Sequence, residues 1–319
     1  MKRYFNLAAA TVAVLLGIGA HAAHAADTLK LGFMPFVPYS ASLVAKQNGW
    51  VEEELKKEGL GDVSVKWVQF AGGPPVNEAM ASHNIDIAAL GDTPALVGRA
   101  SGIDDRMIGL SYKGGAAQAL VVRSDSPIKS IDELKGKKVA TLRGGNVHEL
   151  LVLILQSAGL KLSDVEFVNL GLDDMGTALL KGDIDAALVW DPVFVRLDTT
   201  HQIRVLRTGA GLKSNLNPII ASADVLKQHP KYVTAYLRAI QRGADELRQH
   251  PQAAATQLAP VFGLTPQQTL VAFSRSEFVP PVDASARAEL KRSVTFLQDN
   301  RLTRNAVDVD TFIDIPAAH

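Results

Sequence analysis

The stretches IDIAALGD (residues 85–92) and IDAALVWD (residues 184–191) state one pattern twice. Each opens on an Ile-Asp pair, continues as a short apolar run and closes on an aspartate seven residues after the isoleucine. A proline follows each, Pro94 in the first case and Pro192 in the second. Internal self-similarity constrains architecture more than any single motif, because each copy must be one structural unit. The apolar run inside each copy is too short for a helix and reads as a buried strand.

The echo extends upstream. In the first copy the pattern predicts a strand over 29–33, a helix over 40–57, a strand over 63–70 and a helix over 75–82, closed by a strand over 85–90. In the second it predicts a strand over 138–142, a helix over 147–158, a strand over 165–170 and a helix over 174–181, closed by 184–189. Leu150, Leu151, Ile154, Leu155 and Ala158 recur at helical spacing. Short apolar strands alternating with helices make parallel βαβ units covered on both faces. The expected class is α/β, with two lobes, each a mostly parallel sheet flanked by helices.

Between the copies, 119–122 reads as a strand, and Ser130 with Glu133 as the capping box of a short helix. After the second copy, 203–207 is strand-like. From Pro218 onward the pattern is mostly helical, over 232–249, 252–262, 266–274 and 284–299. That tail has no second sheet of its own, so it is expected to pack on the first lobe. The chain must then cross between lobes twice, near 111–115 and near 208–214, both glycine-bearing. The expected domains are a discontinuous lobe 1 over 26–111 and 214–319, and lobe 2 over 112–213.

Open α/β sheets bind ligands beyond the carboxyl ends of their strands. The unusual residues of both copies sit there: Phe36 and Pro38-Tyr39-Ser40, Gly72-Gly73, Gly91-Asp92-Thr93, Arg143-Gly144-Gly145-Asn146 and Trp190-Asp191-Pro192. Facing lobes then enclose a cleft. Gly144-Gly145-Asn146 separates a strand from a long helix. A helix start exposes unpaired N–H groups and about half a positive charge, which holds a small anion without lysine or arginine. Glycine lets the backbone come close to such a ligand; a plain strand-to-helix turn would use the same residues. Asp92 and Asp191, one per lobe, read either as helix caps or as ligand contacts. Arg143 is the one cation at a strand end and is expected on the rim.

The chain has 319 residues, with 33 Lys+Arg, 33 Asp+Glu and no cysteine. Balanced charge offers no footprint for nucleic acid. Without cysteine there is no disulfide, thiolate metal site or cysteine nucleophile. The G-x-S-x-G pattern fails at Lys113, H-E-x-x-H fails at Val152, and the histidines do not cluster, so no catalytic residue, metal or cofactor is expected. Lys2, Arg3, the apolar run over 7–20 and Ala23-His24-Ala25 compose a secretory signal peptide, with cleavage expected after Ala25. That run is shorter than the ~20 apolar residues of a bilayer span. The mature protein is expected to be exported and not embedded in a membrane.

KGKKVATLRGGNVHELL (135–151), GDIDAALVWDP (182–192), GDTPAL (91–96) and AKQNGWVEEEL (45–55) together resemble the periplasmic substrate-binding proteins of ABC importers for aliphatic sulfonates, taurine and nitrate. The likeness runs over 29–198. It implies a periplasmic monomer with the type II periplasmic binding protein fold, closing on a small anionic organic ligand and delivering it to an ABC permease and its ATPase. It implies that helix-start loops grip the sulfonate oxygens, with Ser40, Gly73, Thr93, Gly145, Asn146 and His148 as anion contacts and Trp190 and Asp191 on the opposite wall. Taurine would also need a carboxylate for its ammonium group, which Asp92 or Asp191 could supply. The loop FMPFVPYSA (33–41) is richer in proline and aromatics than the sulfonate-branch pattern, which points to a larger or different substrate tail.

The resemblance therefore implies capture of a small organic sulfonate. Two rivals share the binding role: nitrate, which wants a tighter pocket with fewer aromatics, and a thiamine-precursor pyrimidine, which would stack between Tyr39 and Trp190. A pyrimidine-forming enzyme on the same fold would carry a cysteine-rich motif and iron-binding histidines, and this chain has no cysteine. An effector domain of a transcription regulator is excluded by the signal peptide and the lack of a helix-turn-helix.

Overall fold

The computed structural model describes residues 27–316; the signal peptide expected over 1–25 lies outside the described residues. The chain begins with β1 (Thr28–Phe33), α1 (Ser40–Gln47), α2 (Trp50–Lys57), β2 (Ser64–Gln69), α3 (Gly73–Ala81), β3 (Ile87–Ala89), α4 (Asp92–Ala100) and β4 (Asp105–Lys113). It then builds β5 (Gln118–Arg123), β6 (Lys138–Thr141), α5 (Asn146–Ser157), β7 (Glu166–Asn169), α6 (Leu172–Lys181), β8 (Ala186–Trp190), α7 (Val193–Thr199) and β9 (Ile203–Thr208). It returns as β10 (Asn217–Ser222), α8 (Ala223–Gln228), α9 (Pro230–Gln249), α10 (Pro251–Phe262), α11 (Pro266–Ser274), β11 (Glu277–Phe278), α12 (Ala284–Asp299) and α13 (Val309–Phe312).

The strands form two sheets, in the orders β11-β4-β10-β3-β1-β2 and β7-β6-β8-β5-β9. Within each echoed unit the strands are parallel: β1 with β2 and β3, β6 with β7 and β8. Each sheet also receives a strand from the segment that arrives from the other lobe. β10 enters antiparallel between β3 and β4, and β5 antiparallel between β8 and β9. Both sheets are therefore mixed. The tail supplies two strands, β10 and β11, where a mostly helical stretch was expected. All six residues of β10 are buried, so it shows no alternation to mark it as a strand.

The repeated Ile-Asp pair has a structural role, and it is the same in both copies. Asp86 accepts from the Lys30 amide through Oδ2 at 2.7 Å, and its own amide donates to the Lys30 carbonyl at 2.8 Å. Asp185 does the same with Lys138, at 2.8 and 2.9 Å. Each aspartate thus fixes the register of a closing strand against the first strand of its unit. The β8 run packs both ways. Ala187 and Val189 face one buried cluster with Met175 and Leu179, while Ala186 and Leu188 face another with Leu150, Ile154 and Leu155.

Two local expectations differ. The helix over 40–57 is two helices, because Gly49 adopts φ +68 before Trp50 starts α2. No capping box forms at Ser130: Glu133 Oε2 accepts instead from the Lys129 amide at 2.6 Å, before a single 3-10 turn at Asp132–Leu134. Among the described residues, no helix is long and apolar enough to cross a membrane.

Two features of the frame are testable. α9 crosses α1 so closely that a Cβ at Gly243 would stand 2.1 Å from the Ala41 carbonyl oxygen. Gly243→Ala should destabilise by about 1–3 kcal/mol, as overpacking against backbone does, read from urea denaturation midpoints; an unchanged midpoint would contradict the contact. Asp105, at the start of β4, is buried, and neither carboxyl oxygen has a hydrogen-bond partner. Burial, opposed by Arg99 and Arg106, pushes its carboxyl up to about 7. The folded value lies above the unfolded one of about 3.9. This group's contribution is thus full below that pH and is lost as pH rises through 7. Asp105→Asn should lose less stability than the parent between pH 4 and pH 8; identical profiles would refute the assignment.

Candidate functional site

The two crossings between lobes touch each other. A Cβ on Gly115, after β4, would lie 2.5 Å from the Lys213 carbonyl oxygen, and one on Gly209, after β9, would lie 2.7 Å from the Gly115 carbonyl oxygen. The Gly114 amide donates to the Ser214 carbonyl at 2.9 Å. Above this junction the strand ends of both sheets enclose a cavity of about 40 Å³. That is room for roughly three waters, the scale of a small oxyanion.

From the first lobe, Met34, Phe36, Pro38 and Tyr39 form one wall, with Gly73, Gly91 and Pro94 beside them. From the second, Leu142, Gly145, Asn146, Val147 and Trp190 close the opposite side, and Gln118, Asn215 and Asn217 come from the crossings. Phe36 meets Trp190 edge-on across the cleft, with centroids 6.1 Å apart. No residue in this lining is an acid, lysine, arginine or histidine.

A polar chain runs along the cavity from lobe to lobe. The Tyr39 hydroxyl donates to Asn217 Oδ1 at 2.9 Å, and Asn217 Nδ2 donates to the Asn215 carbonyl at 3.3 Å. Asn146 Nδ2 donates to Asn215 Oδ1 from the second lobe. Asn215 holds φ +53 and is buried; asparagine tolerates this left-handed conformation better than most residues. Burial raises the Tyr39 phenol far above its ordinary value, with Tyr112 and Asp92 adding to it, so this hydroxyl stays a donor.

The helix starts around the cavity differ in what they leave free. At α4, the Asp92 amide donates to the Leu216 carbonyl at 3.0 Å, the Thr93 amide to Asp92 Oδ1 at 2.8 Å, and Pro94 has no N–H. At α3, Pro74 and Pro75 have none either. At α5 the amides of Asn146 and Val147 have no carbonyl acceptor among the described residues. Gln118 faces the same cavity, is 2% exposed, and its Oε1 has no partner. Amides at a helix start can hold an anion without any cation, whereas the Gln118 oxygen is an acceptor and suits a donor on the ligand.

Of the residues singled out in the sequence, Tyr39, Gly73, Gly145, Asn146 and Trp190 line this cavity. Ser40 does not; its hydroxyl donates to the Val37 carbonyl at 2.7 Å. Thr93 points behind the cavity, donating to Glu149 Oε2 at 2.6 Å. His148 packs on Phe167 with centroids 5.3 Å apart, and burial, with Arg143, holds its imidazole below the ordinary value. Asp92 pairs with Lys213 at 2.7 Å. Asp191 Oδ1 accepts from the Val195 amide at 2.9 Å, capping α7; burial pushes its carboxyl up to about 7, against the pull of Arg275. Arg143 is exposed and stacks over Phe167 at 4.5 Å. Sequence reasoning missed Gln118, Asn215 and Asn217. They lie on the crossings, remote from every loop of the echo, and the only signal for them was the polar, glycine-bearing character of 208–217.

Comparison with known proteins accords with this geometry. Residues 38–254 match the family model described as NMT1/THI5 like. A Bacillus subtilis (strain 168) protein named "Putative aliphatic sulfonates-binding protein" is 30% identical over 249 residues, covering 76% of this chain and 73% of that protein. The solved alkanesulfonate-binding protein SsuA from Xanthomonas axonopodis pv. citri, bound to MOPS, is similar at TM-score 0.83 and 25% identity, over 92% of this chain and all (100%) of that one. The periplasmic aliphatic sulphonate binding protein SsuA from Escherichia coli gives TM-score 0.80 at 25% identity, over 92% and 94%. The periplasmic-binding-protein fold and the family match agree: this chain belongs to the NMT1/THI5-like family.

Proposed function

We propose that this protein is the periplasmic solute-binding component of an ABC importer and captures a small organic sulfonate for its permease and ATPase. The moving bodies are residues 26–111 with 214–319, and residues 112–213, which close over the ligand. The observation that carries the reading is an anion seat of uncharged donors, the Asn146 and Val147 amides at the start of α5, inside a wall of Met34, Phe36, Tyr39 and Trp190. The names of the similar proteins support the same chemistry. A binding role without turnover is supported by a lining whose one ionisable group is Tyr39, a hydroxyl already committed to Asn217.

Among sulfonates, the wall favours an apolar tail over taurine. An ammonium group needs a facing carboxylate, and both candidates are engaged elsewhere, Asp92 with Lys213 and Asp191 with the Val195 amide. The aromatic wall speaks against a bare inorganic ion such as nitrate.

Mature protein, unfolded and refolded to strip carried ligand, should be melted with taurine, short and long alkanesulfonates, nitrate, sulfate and a hydroxymethylpyrimidine. Ligand at about 100 times its dissociation constant adds roughly 2.7 kcal/mol of stability. The expected result is a clear upward shift with alkanesulfonates and a smaller one with taurine. A shift with only nitrate or the pyrimidine would overturn the assignment. Gln118→Leu removes a buried, unpaired acceptor that faces the cavity, so alkanesulfonate affinity should hold or rise; a loss on the order of tenfold by calorimetry would show instead that the Gln118 amide nitrogen meets the sulfonate.

A further inference from the structure

Behind the cavity, four elements meet at one buried cation. Lys213, its side chain 1% exposed, donates to Asp92 Oδ2 at 2.7 Å and Ser293 Oγ at 2.9 Å, and lies 2.9 Å from Glu149 Oε2. The Thr93 hydroxyl donates to Glu149 Oε2 at 2.6 Å and the Ser293 hydroxyl to Glu149 Oε1 at 2.9 Å. Asp92 and Thr93 open α4 and Ser293 sits on α12, all in the first lobe, whereas Glu149 rides on α5, which packs on β6 and β8 of the second. Glu149 stands one helical turn beyond Asn146, on the same face of α5. Asn146 in turn holds Asn215, two residues beyond Lys213. The start of α5 is thereby tied at two points to the strap that returns to the first lobe.

The charges in this pocket do not balance. One buried ammonium faces two buried carboxylates, and an uncompensated buried charge is resolved most cheaply by a proton. The other charged group at its edge is Glu289, which accepts from the Ser214 amide and hydroxyl, both at 2.6 Å, with Arg292 at 3.4 Å. Tyr39 is close enough to feel Asp92. His148, next to Glu149 in sequence, faces Phe167 instead.

We propose that Glu149 is a positioning residue for ligand binding: its docking between Thr93, Ser293 and Lys213 fixes the Asn146 and Val147 amides over the cavity, and that docking brings a second carboxylate against Asp92, which takes up a proton. The proposal rests on the reading that the start of α5 seats the anionic group of the ligand. Burial, opposed by Lys213 and reinforced by Glu149 and Glu289, pushes the Asp92 carboxyl up to about 6 with Glu149 docked beside it. Opening the cleft withdraws the Glu149 carboxylate while Lys213 stays beside Asp92, and loss of the like charge lowers the Asp92 carboxyl. Linkage then makes closure tighter in acid, with about fourfold stronger binding at pH 5.5 than at pH 7.5 and about half a proton taken up per ligand at pH 6. A sulfonate stays ionised across this range, so the dependence belongs to the protein.

The test is calorimetric titration of the mature protein with ethanesulfonate at pH 5.5, 6 and 7.5, in buffers of differing ionisation heat. The parent should show the fourfold tightening and the proton uptake. Glu149→Gln keeps the shape and an acceptor toward Thr93 and Lys213, turns the atom facing Ser293 into a donor and removes the charge, and should bind with no pH dependence. Glu149→Ala should bind more weakly at every pH. A flat parent profile, or a Glu149→Gln profile that matches the parent's, overturns the proposal. If ethanesulfonate fails to bind at any pH, the proposed function is at fault, and small-angle scattering of ligand-free protein decides this point separately. The parent should shift toward the compact form at pH 5.5 and Glu149→Gln should not; no shift, or the same shift in both, overturns it.

Discussion

β10 is hydrogen-bonded on both edges, to β3 on one side and β4 on the other. Without it the first sheet would split into a parallel trio and a detached β4–β11 pair. β5 has the equivalent place in the second sheet, between β8 and β9. Each sheet is thus completed by a strand that has just left the other one. The first sheet takes β10 only after the chain has passed through the second lobe, and the crossings are held short because a ladder begins within a few residues of each. The cavity sits where it does for the same reason. Gln118 is the first residue of β5 and Asn217 the first of β10, so the strands that complete the sheets also present polar groups to the ligand.

How much of this could be read from the chain is best seen residue by residue. The two Ile-Asp echoes located the closing strands because a register-fixing carboxylate leaves a repeated letter, and Asp86 and Asp185 bind equivalent lysine amides. Gly145-Asn146 was legible because a helix start that keeps its amides free needs small or capping residues there. β10 was not legible, since a strand buried on both faces carries no alternation. Lys213 was not legible either: a lysine in a polar loop looks like a solvated one until the fold brings Asp92, Glu149 and Ser293 around it from positions far apart in sequence. Thr93 and Asp92 were placed at the right strand end, but sequence cannot say that they turn away from the cleft, toward that lysine.

The cavity and the pocket behind it divide the electrostatic work. The cavity is free of formal charge, so an anion inside it meets only dipoles, which hold it without a neutralising partner. The formal charges lie one layer deeper, where Lys213 joins α5 to α4 and α12 through Glu149, Asp92 and Ser293. The echoed copies have also diverged in use. At α4 the amides are consumed by Leu216 and Asp92, while at α5 they are kept. The second lobe offers free amides to the cavity, and the wall from β1 to α1 in the first is mostly apolar.

The glycines at the two crossings have a mechanical consequence. Gly115 and Gly209 bring main chain against main chain with no side chain between them. Such a contact resists sliding, because either strand would have to ride over carbonyl oxygens, but it permits rotation about the point of touch. The lobes are therefore joined as on a pin rather than a track. Because the cavity lies just above that pin, a modest angular change displaces its lining little and the outer rims much more. Rotation about the pin would then show most at the outer surfaces and least at the cavity.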